Sequence, residues 1–423
     1  MTMLRGIHLS LMMGTLGPLL PEAVEPGVAE ALLSAQVTQA TEGKSGFSLS
    51  FALGKGSDIR RKFENGYFDP PKRVVLVATV NGVPNMLIDG VIVKHEVAVS
   101  NDPGQTRLNI TGEDLTRLMD LVDLSWVLKY PAMPAEARVA IILAKYLPLG
   151  IKPLIVPSVN IDIPMPTSYI PSHMGTDLQY VTYLAKSVGY VFYVEPGDFL
   201  GLPIPLPDQP TPLPGPPTSL LGSPFSMQGR PMPFPVSSTA YWGPEIKVGA
   251  PQQALIVNSD AASNVDQLSF SFDGFSKTIF AFLLHVEKLP IKIPLPIPIP
   301  DVNPLSPPLG PRVPTPLRFE PLTGMAKFSL PQSLMVGMAK AARAAEVISG
   351  SGSLNVMRYG RVLKARRLVE VRGAGLPHDG LHYVRSVTHQ IKPGEYKQNF
   401  TLSRNALDPW PSNLNEALQR IPT

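Results

Sequence analysis

The sequence predicts an α+β, mainly β, fold: two related β-barrels, an α/β insertion between them, and proline-rich arms. Three observations carry that reading. Short runs of alternating polar and apolar residues dominate both ends of the chain. A stretch near the C-terminus repeats one that lies 290 positions earlier. The 48 prolines among 423 residues, more than twice the usual ~5%, are clustered rather than spread.

In chain order, Ile7-His-Leu-Ser-Leu11 alternates as a strand, and Gly27 to Ala35 is short and helix-like. AQVTQ, SGFSLSFAL, KRVVLVATV, NGVPNMLIDGVIVKHEVAVS and QTRLNIT then read as strands, with turn chemistry at Asn81-Gly82 and Asp102-Pro103-Gly104. Residues 1–112 are thus expected to form the first barrel. From Gly112-Glu113-Asp114 the period becomes helical. Pro134 sits at the first turn of one helix, and Thr176 caps DLQYVTYLAKSVGY before the strand YVFYVEPG. Residues 113–200 are an α/β insertion domain.

A proline-rich arm follows over 201–240, because proline lacks the N–H donor and fixes φ, which excludes helix and sheet ladders. ALIVNS and QLSFSFDGFSKTIFAFLLHV resume as strands. A second proline-rich insertion over 290–316 is expected to be extended or irregular, serving either as a flexible linker or as an arm laid along partner subunits. SLMVGMAKAARAAEV reads as an amphipathic helix, and strands return through RRLVEVRG. The second barrel is therefore placed at 241–405, with a tail over 406–423 that begins at the proline-framed Trp410.

The repeat sets DGVIVKHEVAVSNDPGQTRLNIT, from Asp89, on DGLHYVRSVTHQIKPGEYKQNFT, from Asp379. Without a gap, Asp89-Gly90 falls on Asp379-Gly380, Pro103-Gly104 on Pro393-Gly394, and Asn109 and Thr111 on Asn399 and Thr401. Each copy reads as a hairpin: an Asp-Gly turn, a strand, a Pro-Gly turn and a returning strand. Two such hairpins far apart in one chain imply two similar barrels.

The C-terminal pattern Gly373, Gly375, Asp379, Gly380, Val384, Val387, His389, Phe400, Leu402 and Arg404 resembles the late-control-D-like baseplate hub family. That family is shared by contractile phage tails, the base of valine-glycine-repeat spikes and contractile injection systems. The resemblance covers most of residues 1–405, while the proline-rich arms and the Trp410 tail depart from it. It implies tube-protein-like barrels and a homotrimer whose six barrels form a pseudo-six-fold ring. Its partners would be the hexameric inner tail-tube protein, the trimeric spike and other baseplate proteins. The expected location is the baseplate of a virion tail or injection particle assembled in the bacterial cytoplasm. Two other readings stay open: a tail-tip enzyme degrading cell-wall glycan, and a β-rich adhesin or binding module.

Several function classes are disfavoured by residue chemistry. Absent cysteine removes thiolate nucleophiles and Cys-based metal sites. A net charge of +4 is too small to make nucleic acid the main partner. The N-terminal apolar run is cut by His8, Gly14, Gly17 and Pro18, so a secretory signal fits poorly, and no run is long enough for a membrane helix. His382 and His389, seven apart on a strand, should face opposite ways and share no metal unless a bulge intervenes. No paired carboxylates, phosphate-binding loop or G-x-S-x-G elbow appears. Gly54-Lys-Gly56 and Gly350-Ser-Gly-Ser read as turns. No enzyme, cofactor or metal is expected. Candidate partner contacts are the basic run Arg358, Arg361, Lys364, Arg366 and Arg367, against the plainer reading of a solvated sheet face. Trp410 is a further candidate, either as an anchor for a neighbour or as a tail folded on its own barrel.

Overall fold

The computed structural model describes residues 6–17, 21–41, 43–102, 105–125, 127–158, 170–197, 238–285, 292–296, 305–323 and 330–410, with 282–285, 292–296 and 330–332 by backbone alone. Residues 198–237, which hold all but the last three residues of the 201–240 proline-rich arm, and 411–423 lie outside the described residues, as do Pro103 and Gly104.

The first half begins with β1 (Ile7–Thr15), β2 (Glu22–Ala23), the short helix α1 (Pro26–Glu30), β3 (Leu32–Ala40) and β4 (Gly46–Ala52). It continues through α2 (Asp58–Glu64), β5 (Lys72–Val80), β6 (Val83–Ala98) and β7 (Arg107–Asp114). Strands β4 and β7 bury alternate residues, as one-sided strands should. By contrast β5 is buried along almost its whole length, with Val75 and Val77 packed on Met86 on the face away from the main core.

The insertion carries α3 (Ala135–Ala144), β8 (Ile151–Ile155), α4 (Asp177–Ser187), β9 (Val191–Glu195) and β10 (Ser238–Gly243). Thr176 and Gln179 form a reciprocal capping box on α4, as the Thr-Asp signal predicts. β10 starts within the last residues of the 201–240 arm, where a ladder was not expected, and is the centre of the insertion's sheet, parallel to β8 and antiparallel to β9. Val139, Ile142, Tyr180, Leu184 and the fully buried Trp242 make its core.

The second half contains β11 (Gln252–Ile256), β12 (Gln267–Phe272), β13 (Thr278–His285), β14 (Lys292–Pro296), β15 (Arg318–Pro321), α5 (Leu330–Ala344), β16 (Ile348–Asn355), α6 (Val356–Tyr359), β17 (Leu368–Arg372), β18 (Gly380–Lys392) and β19 (Glu395–Arg404). Both halves belong to one thirteen-stranded sheet. The first runs β3-β4-β7-β6-β5-β1, and the second runs β12-β16-β19-β18-β17-β11, in the same spatial order. Phe47, Phe51, Leu76 and Ile110 from one half and Val371, Val384, Tyr396 and Phe400 from the other share a single core.

Four local expectations are corrected. Asp89-Gly90 is no turn: both residues lie inside β6, where Gly90 faces Val74 and Asp114. A side chain on Gly90 would collide with the Glu113 carbonyl, so this glycine serves strand approach. Gly350-Ser-Gly-Ser is also no turn but the middle of β16. An added Cβ would sit 2.7 Å from the Phe270 ring at Gly350 and 2.6 Å from the Phe400 ring at Gly352, so the glycines let neighbouring rings cross the strand.

The second proline-rich stretch does enter a ladder: β14 pairs antiparallel with β13. Its prolines, Pro294 and Pro296, alternate on an edge strand. With period two their missing donors all point to the open side, which proline tolerates. Lastly, the ungapped repeat is off by two residues on one strand of each hairpin. A shift of two leaves every side chain on its own face. Both hairpins bulge at the same step: Val93 opposite Gly112/Thr111, and Arg385 opposite Leu402/Thr401.

Candidate assembly surface

The two halves meet strand to strand. Past Tyr383, which faces the first residue of β17, the far half of β18 takes β3 of the first half as its new neighbour. Ser386 to Ile391 pair antiparallel with Ala40 to Ala35. Val387, His389 and Ile391 are buried on the core face together with Val37 and Ala35. On the other face the Thr38 and Thr388 hydroxyls lie 3.2 Å apart.

Arg366 clamps this joint. Its backbone has φ of +61°, sparsely populated for a non-glycine residue, and its N–H donates to Val384 O. Its Nη2 donates to Ala40 O at 2.6 Å, and the guanidinium lies 4.1 Å from the centre of the Tyr193 ring. One side chain thus ties the second half to the first half and to the insertion, so Arg366 is used within the chain. The remaining basic run is divided. Arg358, on α6, pairs with Asp266, while Lys364 is held through its backbone N–H and carbonyl by Gln252. Arg367 is half-buried, and Arg361 is exposed.

Sequence reasoning placed His382 and His389 on opposite faces. The bulge at Arg385 adds one residue between them and returns both to the core face. They do not meet: His382 Nδ1 donates to Gly380 O, whereas His389 Nδ1 accepts from Tyr396 Oη at 2.8 Å and Gln398 Nε2 at 3.3 Å. Burial pushes both imidazoles down to about 3, with Arg404 adding repulsion at His382. They are neutral core histidines. Among the described residues no group of three or more His, Cys, Asp or Glu is arranged to hold a metal.

Asp379 and Gly380 do end the turn from β17 into β18, with Asp379 Oδ1 accepting from Ala374 N–H. Pro393 and Gly394 form the two-residue turn between β18 and β19. Trp410 is 56% exposed, but its indole N–H donates to Pro308 O at 3.1 Å. Asn405 bonds Leu309 N–H and Pro307 O, and buried Arg404 donates to Leu309 O. Carbonyls of the second proline-rich stretch therefore accept from side chains around the end of β19, and at 305–310 that stretch is strapped to the second half of its own chain.

Sequence reading missed the buried pair Arg73 and Asp89. Arg73 Nε and Nη2 meet Asp89 Oδ1 and Oδ2 at 2.8 and 2.7 Å. Ser238 Oγ donates to Asp89 Oδ2 at 2.8 Å, which fastens β10 of the insertion to the first half. The available signal was the single charge in the apolar strand MLIDGVIV and the Lys-Arg start of the apolar run KRVVLVATV; a charge buried among apolar residues is normally paired.

Solved structures share this fold. The 43 kDa tail protein of prophage MuSo2 from Shewanella oneidensis matches with a TM-score of 0.58 at 12% identity, over 95% of this chain and 100% of that one. A tail protein from Neisseria meningitidis MC58 matches with a TM-score of 0.53 at 11% identity, over 95% of this chain and 97% of that one. A chain of the lidded Francisella PdpA–VgrG complex matches with a TM-score of 0.55 at 8% identity, over 98% of this chain and 55% of that one. The phage-tail and baseplate-hub resemblance read from the sequence is thus matched at the level of fold. No family model and no curated protein sequence matches the chain.

Proposed function

We propose that this chain is a structural baseplate hub of a contractile tail or tail-like injection system. It forms a homotrimer whose six half-sheets make a pseudo-six-fold ring between a hexameric inner tube and a trimeric spike. The observation that carries the reading is the internal equivalence. Two six-strand sets run in the same order, share a hairpin bulge, and are already joined edge to edge within one chain. Three copies supply six such halves, which is the number a hexameric tube needs as a seat.

The fold shared with tail proteins over almost the whole chain supports this reading. The work of such a hub is shape, buried area and main-chain pairing, without turnover. It would reside in the baseplate of a virion or injection particle, beside tube, spike and other baseplate proteins. Native mass spectrometry of the purified chain tests it. The expected species is a trimer that takes up tube and spike proteins. A chain that stays monomeric in their presence, or that clears cell-wall substrate on its own, would overturn the reading.

A further inference from the structure

The internal joint between β18 and β3 has its two counterparts, one in each half, left open among the described residues. In the second half, β18 pairs first with β17 and then, beyond its bulge, with β3. In the first half, β6 pairs with β5 only as far as Val91, and beyond its bulge the same edge has no strand beside it. The strand equivalent to β3 is β12, which pairs only with β16. Its stretch Gln267–Phe272 carries neither charge nor proline, the usual devices that protect an open edge.

We propose that the open part of β6 in one copy pairs antiparallel with β12 of a second copy, in the register that β18 and β3 use within the chain. The inference rests on the ring reading above and specifies its contact between subunits.

The register follows by counting. Thr388 lies three residues past the bulge at Arg385, and Glu96 lies three past the bulge at Val93. Thr38 pairs through Gly46 with Glu113, two beyond Thr111, while Ser271 pairs through Ser349 with Ser403, two beyond Thr401. Thr388 opposite Thr38 therefore becomes Glu96 opposite Ser271. The same count sets Lys94 opposite Asp273, Val97 opposite Phe270 and Val99 opposite Leu268.

The side chains agree with a register derived from backbone alone. Val97, Val99, Phe270 and Leu268 fall on one face, which continues the core face of the internal joint. Opposite charges meet at Lys94 and Asp273 on the other. Val99 is 79% exposed and Phe272 47% exposed in the single chain, and both would be covered. Edge pairing with apolar cross-strand contacts is the ordinary unit of sheet stabilisation.

The natural chain has no cysteine, so cross-linking is unambiguous. The double variant Glu96→Cys/Ser271→Cys occupies the pair whose internal counterpart has hydroxyls 3.2 Å apart, close enough for a disulfide. Under mild oxidation the expected result is a covalent ladder that ends at three chains. Neither single variant, nor the out-of-register pair Glu96→Cys/Ser269→Cys, should give it. A native trimer with no cross-link, or with the out-of-register pair cross-linking better, overturns this contact and leaves the ring reading standing. A ladder running past three chains, or no oligomer at all, overturns both.

Discussion

Replacing Asp89 by Asn removes one charge from a buried pair and leaves its shape almost unchanged. Arg73 and Asp89 are 2% and 3% exposed, so water cannot take over the orphaned guanidinium. Among the described residues, the Gly17 carbonyl, 3.2 Å from Nη1, is the one further acceptor for Arg73. Removing one partner of such a pair typically costs about 3–5 kcal/mol, a large share of the ~5–15 kcal/mol that holds a domain folded. Replacing both partners by apolar residues, as in Arg73→Met/Asp89→Leu, is often neutral or stabilising by about 1–4 kcal/mol, because no buried charge remains. The predicted order is therefore wild type close to the double variant, with the single variant far below both. Denaturant midpoints at constant slope measure the order. Hydrogen exchange should add a regional signature, because Asp89 also accepts from Ser238. Protection at β10 should fall in both variants. A single variant within about 1 kcal/mol of wild type, or a double variant worse than the single, would refute the reasoning.

Three further outcomes are expected. His382 and His389 are held near 3 when folded and titrate near the ordinary imidazole value of ~6.5 when unfolded, so the unfolded chain binds more protons between those limits. Stability is full above about pH 6.5 and falls by about tenfold per pH unit per histidine on acidification toward 3. The His382→Gln/His389→Gln variant should show a shallower acid limb in pH-dependent denaturation than the parent. Arg366→Lys should loosen the joint although it keeps the charge, because an ammonium cannot both stack on Tyr193 and reach Ala40. Faster exchange at 36–40 and 191–195 would show it, and unchanged exchange would count against the clamp. Gly352→Val should cost roughly 1–3 kcal/mol by overpacking Phe400, read as a lowered melting midpoint.

The C-terminal hairpin was legible because its signals are local: alternation along β18 and β19, and a Pro-Gly turn between them. The capped helix α4 was legible for the same reason. β16 was not, because its Gly-Ser run has turn composition while its glycines answer to the Phe270 and Phe400 rings across the sheet. β14 was hidden because proline argues against ladders, and only its place on an edge lifts that objection. The histidine faces were misjudged because one bulged residue at Arg385 reverses strand parity, and no local residue pattern announced it. The joint itself pairs residues about 350 positions apart, such as Thr38 with Thr388, and nothing local in either strand names its partner. The repeat still mattered, since it located both hairpins, although it put a turn at Asp89-Gly90 and left the register wrong by two.

The central claim is that two equivalent halves per chain build a six-part ring from three chains. A cryo-electron microscopy reconstruction of the assembled particle tests it most directly. The account predicts one three-fold layer at the junction of tube and spike, with six lobes alternating between the two halves of each chain. A layer built from six copies, or a chain sitting singly outside that junction, would contradict it.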